Sequence, residues 1–233
     1  VGGPTAEQVK TAPEFERTRE NMNEFGGCAI AGKAVRTALS QLMGKFTDTQ
    51  VTGRLTSIMK KINLEDGTEA RGYRKVEIST QRNYLTGFEF NKNQSITGVF
   101  NAPYQVNHDP ARNTADLIVE EFLPVELIAA PAGASHFRLL HALAVIADFS
   151  YNPVTGTYEP DDAVNNELSV VSRSPFIPLN ESYSGDTITA DLPGLPTLDN
   201  TVSVLQCIGI EFFQEVNGVY YPFATGHCLQ IAE

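Results

Sequence analysis

The sequence predicts an α+β protein: an N-terminal helical segment, residues 1–75, packed on a C-terminal antiparallel β-sandwich, residues 76–233. Three observations point there. Apolar residues recur at helical spacing as far as Ile62. Beyond the loop Asn63 to Gly72 the period falls to two. Near the C-terminus, Asn217-Gly218 separates two apolar runs, the signature of a type I′ hairpin. At 233 residues and 42% hydrophobic content the chain can bury one large core or two small ones.

The elements follow in order. Pro13 suits a first helical turn, with Thr11 placed to cap it and Glu14 and Glu16 near the positive end of the dipole. Phe15, Thr18, Met22 and Phe25 fall at helical spacing, and Gly26-Gly27 marks a break. Ile30, Ala31, Ala34, Val35, Ala38, Leu39 and Leu42 then form one apolar stripe. A second helix starts near Asp48 and shows Val51, Leu55, Ile58, Met59 and Ile62 on one side. KVEIST, LTGFEFN and SITGVF read as strands. YQVNHDPARNTADLIV reads as a hairpin around Asp109-Pro110. Phe137, Leu139, His141, Leu143, Val145, Ala147 and Phe149 alternate along one long strand. NPVTG is a turn, ESYSGDTITADLP a further strand, and TVSVLQCIGIEFFQEVNGVYYPF the clearest hairpin. Strands at hairpin spacing with Pro and Gly between them indicate a sandwich.

Residues 27–34, GCAIAGKA, come one residue away from the phosphate-binding pattern GxxxxGK[ST]. That loop must follow a buried strand, and Glu14 to Phe25 is a charged, helix-prone run. Ala34 stands where a magnesium-binding hydroxyl belongs. The stretch reads instead as a helix face of small residues that lets another element approach, with Lys33 and Arg36 turned to solvent or an acidic partner.

The net charge of −11 is unevenly spread. Residues 1–75 hold 12 Lys and Arg against 9 Asp and Glu; residues 76–233 hold 5 against 19. An acidic body repels nucleic acid phosphates, so no nucleic acid partner is expected. A basic helical segment beside an acidic body can dock head to tail on another copy. The chain has no apolar run long enough to span a membrane. Its start, VGGPTAEQVK, lacks the basic and apolar regions of a signal peptide, and it lacks an initiator Met.

Three cysteines give no disulfide framework. Cys207 and Cys228 lie in two apolar strands, where a pair or two buried thiols both fit, and burial is the expectation. His136 and His141 are five apart, on opposite faces of a strand, and cannot chelate one metal. Asp161 with Asp162, or Asp109 with Asp116, are the acidic groups placed for calcium, and plain turn chemistry is the expectation. His108-Asp109 reads as a turn, and Glu120-Glu121 alternate faces. There is no GxSxG elbow and no Trp; Tyr158, Tyr220 and Tyr221 are the aromatics that can substitute as a sugar platform. Asn93-Gln94-Ser95 and Asn180-Glu181-Ser182 match sequons and mark loops.

EFERTRENMNEFGGCAIAGKAVRTAL, VTGRLTSIMKKI, LTGFEFN, APAGASHFRLL and GIEFFQEVNGVYYP together resemble a family of uncharacterised proteins from Bacteroidetes. The likeness spans nearly the whole chain, and the hairpin segment is its most specific part. It implies a bacterial origin and a short leader or arm, rich in Gly and Lys, ahead of Val1. It implies no activity, cofactor or site residue. The functional expectation is therefore a non-enzymatic structural subunit, extracellular or at the cell surface. It self-assembles into a filament, tube or surface layer with Lys33 and Arg36 as candidate self-association residues. The alternative is a cell-surface module that binds a peptide or glycan. No catalytic residue, cofactor or metal is expected.

Overall fold

The computed structural model describes residues 3–233. Helix α1 (Ala6–Thr11) and a 3-10 turn (Pro13–Phe15) lead into the long α2 (Glu16–Ala38). The chain continues as α3 (Ser40–Phe46) and returns antiparallel to α2 as α4 (Val51–Glu65). Three single turns, α5 (Ile78–Gln81), α6 (Ile96–Val99) and α7 (Pro124–Leu127), sit in the connections beyond. The strands are β1 (Tyr104–His108), β2 (Thr114–Val119), β3 (His136–Ala147), β4 (Phe149–Asn152), β5 (Thr157–Pro160) and β6 (Ser169–Arg173). They continue with β7 (Ile177–Pro178), β8 (Asp186–Asp191), β9 (Val202–Val216), β10 (Val219–Pro222) and β11 (Cys228–Ile231).

The α+β reading holds: a helical N-terminal region packs on antiparallel sheets. β3 and β9 pair over twelve registers, from His136 opposite Phe213 to Ala147 opposite Val202, and form the spine of the larger sheet. β6 and β7 flank β3, while β10 and β11 flank β9. A second sheet has the order β1-β2-β8, and β4-β5 forms a separate hairpin.

Alternation along the spine separates two cores. Leu140, Ala142, Ala144, Leu205 and Cys207 point to one face, where Ala31, Val35, Leu55 and Met59 of α2 and α4 cover them. Phe137, Leu139, Ile208, Ile210 and Phe212 point to the other, against Leu117, Val119 and Ile188 of the second sheet. The molecule thus has three layers: helices, spine sheet, outer sheet. Both faces of the spine are buried, so β3 and β9 read as nearly continuous apolar runs. At the end of β9, Asn217 (φ 52°) and Gly218 (φ 80°) both lie in the left-handed region. That is the backbone a type I′ turn requires.

The structure corrects several element readings. α2 runs unbroken through Gly26 and Gly27. Thr11 caps nothing at Pro13; it ends α1 and donates from Oγ1 to the Glu7 carbonyl at 2.9 Å. The joint is held by Arg19, whose Nη1 donates to the Val9 and Ala12 carbonyls, each at 2.9 Å. KVEIST makes a single bridge, Val76 to Phe149, and then turns as α5. LTGFEFN follows a 3-10 turn (Arg82–Tyr84), turns again over 85–87 and makes a single bridge, Glu89 to Gln230. SITGVF is the turn α6, because Ser95 Oγ accepts from the Gly98 amide at 3.1 Å and caps it.

Candidate functional site

Lys33 and Arg36 both lie on α2, one turn apart. Lys33 is exposed and Arg36 half-buried, its Nε without a hydrogen-bond partner. The spacing of four, three, four, four and three residues puts Thr18, Met22, Phe25, Ala29, Lys33 and Arg36 on one side of the helix. Met22 is 62% and Phe25 60% exposed. The stripe is apolar in the first half of α2 and basic in the second. A shallow hollow of about 410 Å³ runs beside its apolar half, bounded by Lys60 of α4.

The opposite side of α2 is locked in place. Glu24 is fully buried. It accepts from Arg74 Nε at 2.8 Å and Nη2 at 3.0 Å, from the Gly72 amide at 2.8 Å, and from the Lys60 ammonium. Burial alone would raise its pKa, but these donors outweigh burial and hold the carboxyl at about 2. Asn63 completes the hub: it accepts from Lys60 at 2.8 Å and donates to the Arg74 carbonyl at 2.6 Å. The Tyr158 hydroxyl donates to the same carbonyl at 2.9 Å. The Tyr158 ring lies flat on α2 at Gly27, where a Cβ would stand 2.4 Å from Cγ of the ring. This close approach accounts for the first glycine of GCAIAGKA.

Above the hub, Tyr73 and Tyr151 pair at 4.8 Å with their rings at 58°, and Tyr151 meets Tyr158 edge to face at 5.7 Å. Hollows flank the pair. One, of about 450 Å³, is lined by Glu69, Tyr73, Lys75, Ser150, Tyr151 and Pro153. The other, of about 380 Å³, lies towards Glu16, Glu20 and Asn23 of α2.

The remaining candidates are placed as follows. Tyr158 is buried and cannot be a platform. Tyr220 is stacked on Phe176 at 3.8 Å and 8°, with His136 edge-on at 5.0 Å, so its ring is largely covered; Tyr221 is 54% exposed. His136 and His141 face opposite layers. His141 sits between the sheets, with Nδ1 3.0 Å from the Ile188 carbonyl and Nε2 3.2 Å from Gln206 Oε1. His227 accepts from the Phe212 amide at Nδ1 and donates from Nε2 to the Phe223 carbonyl. Asp109 accepts from the amides of Ala111, Asn113 and Thr114, which is turn chemistry, while the His108 ring meets the Asp109 carbonyl at Nδ1 and lies 3.9 Å from the Glu233 carboxylate at Nε2. Asp162 accepts from the Val164 and Asn165 amides, and Asp116 from the Thr189 hydroxyl. Among the described residues no group of three or more His, Cys, Asp or Glu side chains is arranged to hold a metal. All three cysteines are free and buried, and burial pushes each thiol up to about 12. Cys207 packs on the helical side of the spine and Cys228 on the other, which precludes a bond between them.

Sequence reasoning missed the Glu24 hub and the Tyr73–Tyr151 groove. One signal was present: Glu24 falls four residues before Cys28 and seven before Ala31, in line with the buried stripe. Tyr73 and Tyr151 come from a loop and a distant hairpin, and no spacing connects them.

No helix among the described residues is long and apolar enough to cross a membrane. No protein-family model, no curated protein and no solved structure matches the chain.

Proposed function

We propose that the chain is a non-catalytic structural subunit that stacks head to tail on copies of itself. The observation that carries this reading is the order of the layers. The exposed α2 stripe, with Met22, Phe25, Lys33 and Arg36, lies on the outside of the helical layer. The outer sheet lies beyond the opposite face of the spine, and its solvent side shows Asp116, Thr187, Thr189 and Asp191. A basic, partly apolar face and an acidic face on opposite sides of one molecule form a heterologous pair. Such a contact propagates into a filament or tube unless its rotation closes a ring. Apolar contact at Met22 and Phe25 supplies affinity, and opposite charge sets encounter and register.

The buried titratable groups favour a structural role over catalysis. Glu24, Asp66, Asp148 and His227 each face partners in the fold rather than a shared cleft. The test is light scattering over a concentration and salt series. Association at low salt that weakens with added salt, and is lost in Phe25→Glu, supports the reading. A wild-type chain that stays monomeric at low salt and high concentration overturns it.

A further inference from the structure

We propose that the hollow beside Tyr73 and Tyr151 is a binding site for a neutral saccharide. This goes beyond the assembly reading and stands without it. The hollow measures about 450 Å³, within the range of small-ligand sites.

Its floor is built in advance. Tyr73 is 48% exposed, yet its ring is fixed against Tyr151, which rests on the buried Tyr158. Tyr158 is tied to Arg74, and Arg74 to Glu24. An aromatic face held in place loses little entropy when a ligand covers it.

The polar groups are free. Among the described residues, the side-chain hydrogen bonds of the fold engage neither Glu69, Lys75 nor Ser150, and neither the Tyr73 nor the Tyr151 hydroxyl. Asp66, by contrast, takes the Glu69 and Lys75 amides and so fixes the backbone from which both side chains project.

The chemistry selects the ligand class. One carboxylate and one ammonium share the hollow, so it carries no net charge. An anion meets Glu69 and a cation meets Lys75. A sugar hydroxyl serves both, because it donates to a carboxylate and accepts from an ammonium. The C–H face of a pyranose ring packs on a tyrosine face, which is weakly negative. A zwitterion such as a free amino acid also matches the two charges. The hollow is open to water, though, and exposed ion pairs contribute little. The aromatic contact is less weakened by water, and it favours the sugar.

The experiment is a titration of the ¹⁵N-labelled full chain, followed by ¹H–¹⁵N correlation spectra. The probes are hexasaccharides of glucose, xylose, mannose and N-acetylglucosamine, with free lysine and glutamate as the zwitterionic arm. The expected result is binding of at least one sugar below about 10 mM, with shifts at Glu69 to Lys75 and Ser150 to Pro153. Tyr73→Ala then weakens that binding about tenfold while the melting temperature is kept. Lys75→Met weakens it as well. Failure of every sugar to bind, shifts elsewhere, preference for the amino acids, or binding indifferent to Tyr73→Ala would each overturn the proposal.

Discussion

The Glu24 carboxylate and the Arg74 guanidinium, fifty positions apart in the chain, meet side-on at 2.8 and 3.0 Å beneath the helical layer. The pair joins α2 to the loop that carries Tyr73, and Lys60 binds it to α4. A single acidic side chain therefore fixes three segments. Glu24→Ala leaves Arg74 and Lys60 without their anion. Both are partly solvated, so the expected loss is about 3 kcal/mol, at the low end for a broken buried pair. Urea unfolding measures it, and a loss below about 1 kcal/mol shows that water replaces the carboxylate at no great cost.

The same carboxylate sets an acid limb. Its ordinary value is 4.5 and its value in the fold is about 2. A lowered folded value means the unfolded chain takes up the proton first. The contribution of Glu24 is then complete above pH 4.5 and disappears as the pH falls towards 2. Glu24→Gln is expected to be less stable at neutral pH and to lack that part of the acid slope. Parallel acid limbs in the two proteins contradict this.

Gly27 and Gly26 give a paired test of the helix face. A methyl at Gly27 collides with the Tyr158 ring, whereas one at Gly26 meets nothing within 4 Å. Gly27→Ala is expected to cost about 1–3 kcal/mol through overpacking. Gly26→Ala is expected to stabilise the helix by up to about 1 kcal/mol. Equal effects at the two positions would place Tyr158 elsewhere. The same geometry predicts no ATP or GTP affinity with Mg²⁺, because residues 27–34 lie inside one continuous helix and their amides bond within it. Micromolar binding abolished by Lys33→Ala contradicts that.

Phe212 reports on the register of the spine. It is fully buried opposite Phe137, in the core between the two sheets. Phe212→Ala is expected to cost about 3–5 kcal/mol, against under about 0.5 kcal/mol for Phe25→Ala on the exposed stripe. A loss below about 1 kcal/mol at Phe212 overturns the register.

Those elements were legible because their signals are local. Asn217-Gly218 needs two positive φ angles, and few residue pairs other than Asn-Gly meet that need so readily. The alternation in β3 marks the face that meets the outer sheet. In KVEIST the period misleads, because Val76 and Ile78, two apart, mimic a strand. In the structure the Ile78 amide bonds to the Val76 carbonyl, and the chain turns at once. Ser95 caps a helical turn in a run whose composition suits a strand. The exposure of Met22 and Phe25 was hidden for a different reason. Helical spacing marks one side of a helix but does not say whether that side is covered. The buried stripe and the open stripe of α2 have the same period, and what distinguishes them is the cover that α4, the spine and the Tyr158 ring give to one of them.

Head-to-tail stacking makes a prediction that symmetric dimers do not. Replacing Lys33→Glu with Arg36→Glu makes the helical face acidic, like the outer sheet. Replacing Asp116→Lys with Asp191→Lys makes the outer sheet basic, like the helical face. Each double variant now meets its own kind with like charge on both faces, so each alone is expected to stay monomeric at low salt. In an equimolar mixture the unchanged acidic sheet of the first meets the unchanged basic helices of the second. The reversed acidic helices of the first also meet the reversed basic sheet of the second. Both contacts are attractive, and the mixture is expected to recover the assembly in strict alternation. An isologous dimer through α2 alone behaves otherwise. There the Asp116→Lys, Asp191→Lys variant associates as well as wild type. Light scattering on the two variants and their mixture distinguishes the cases, and a mixture no larger than its components removes the head-to-tail contact.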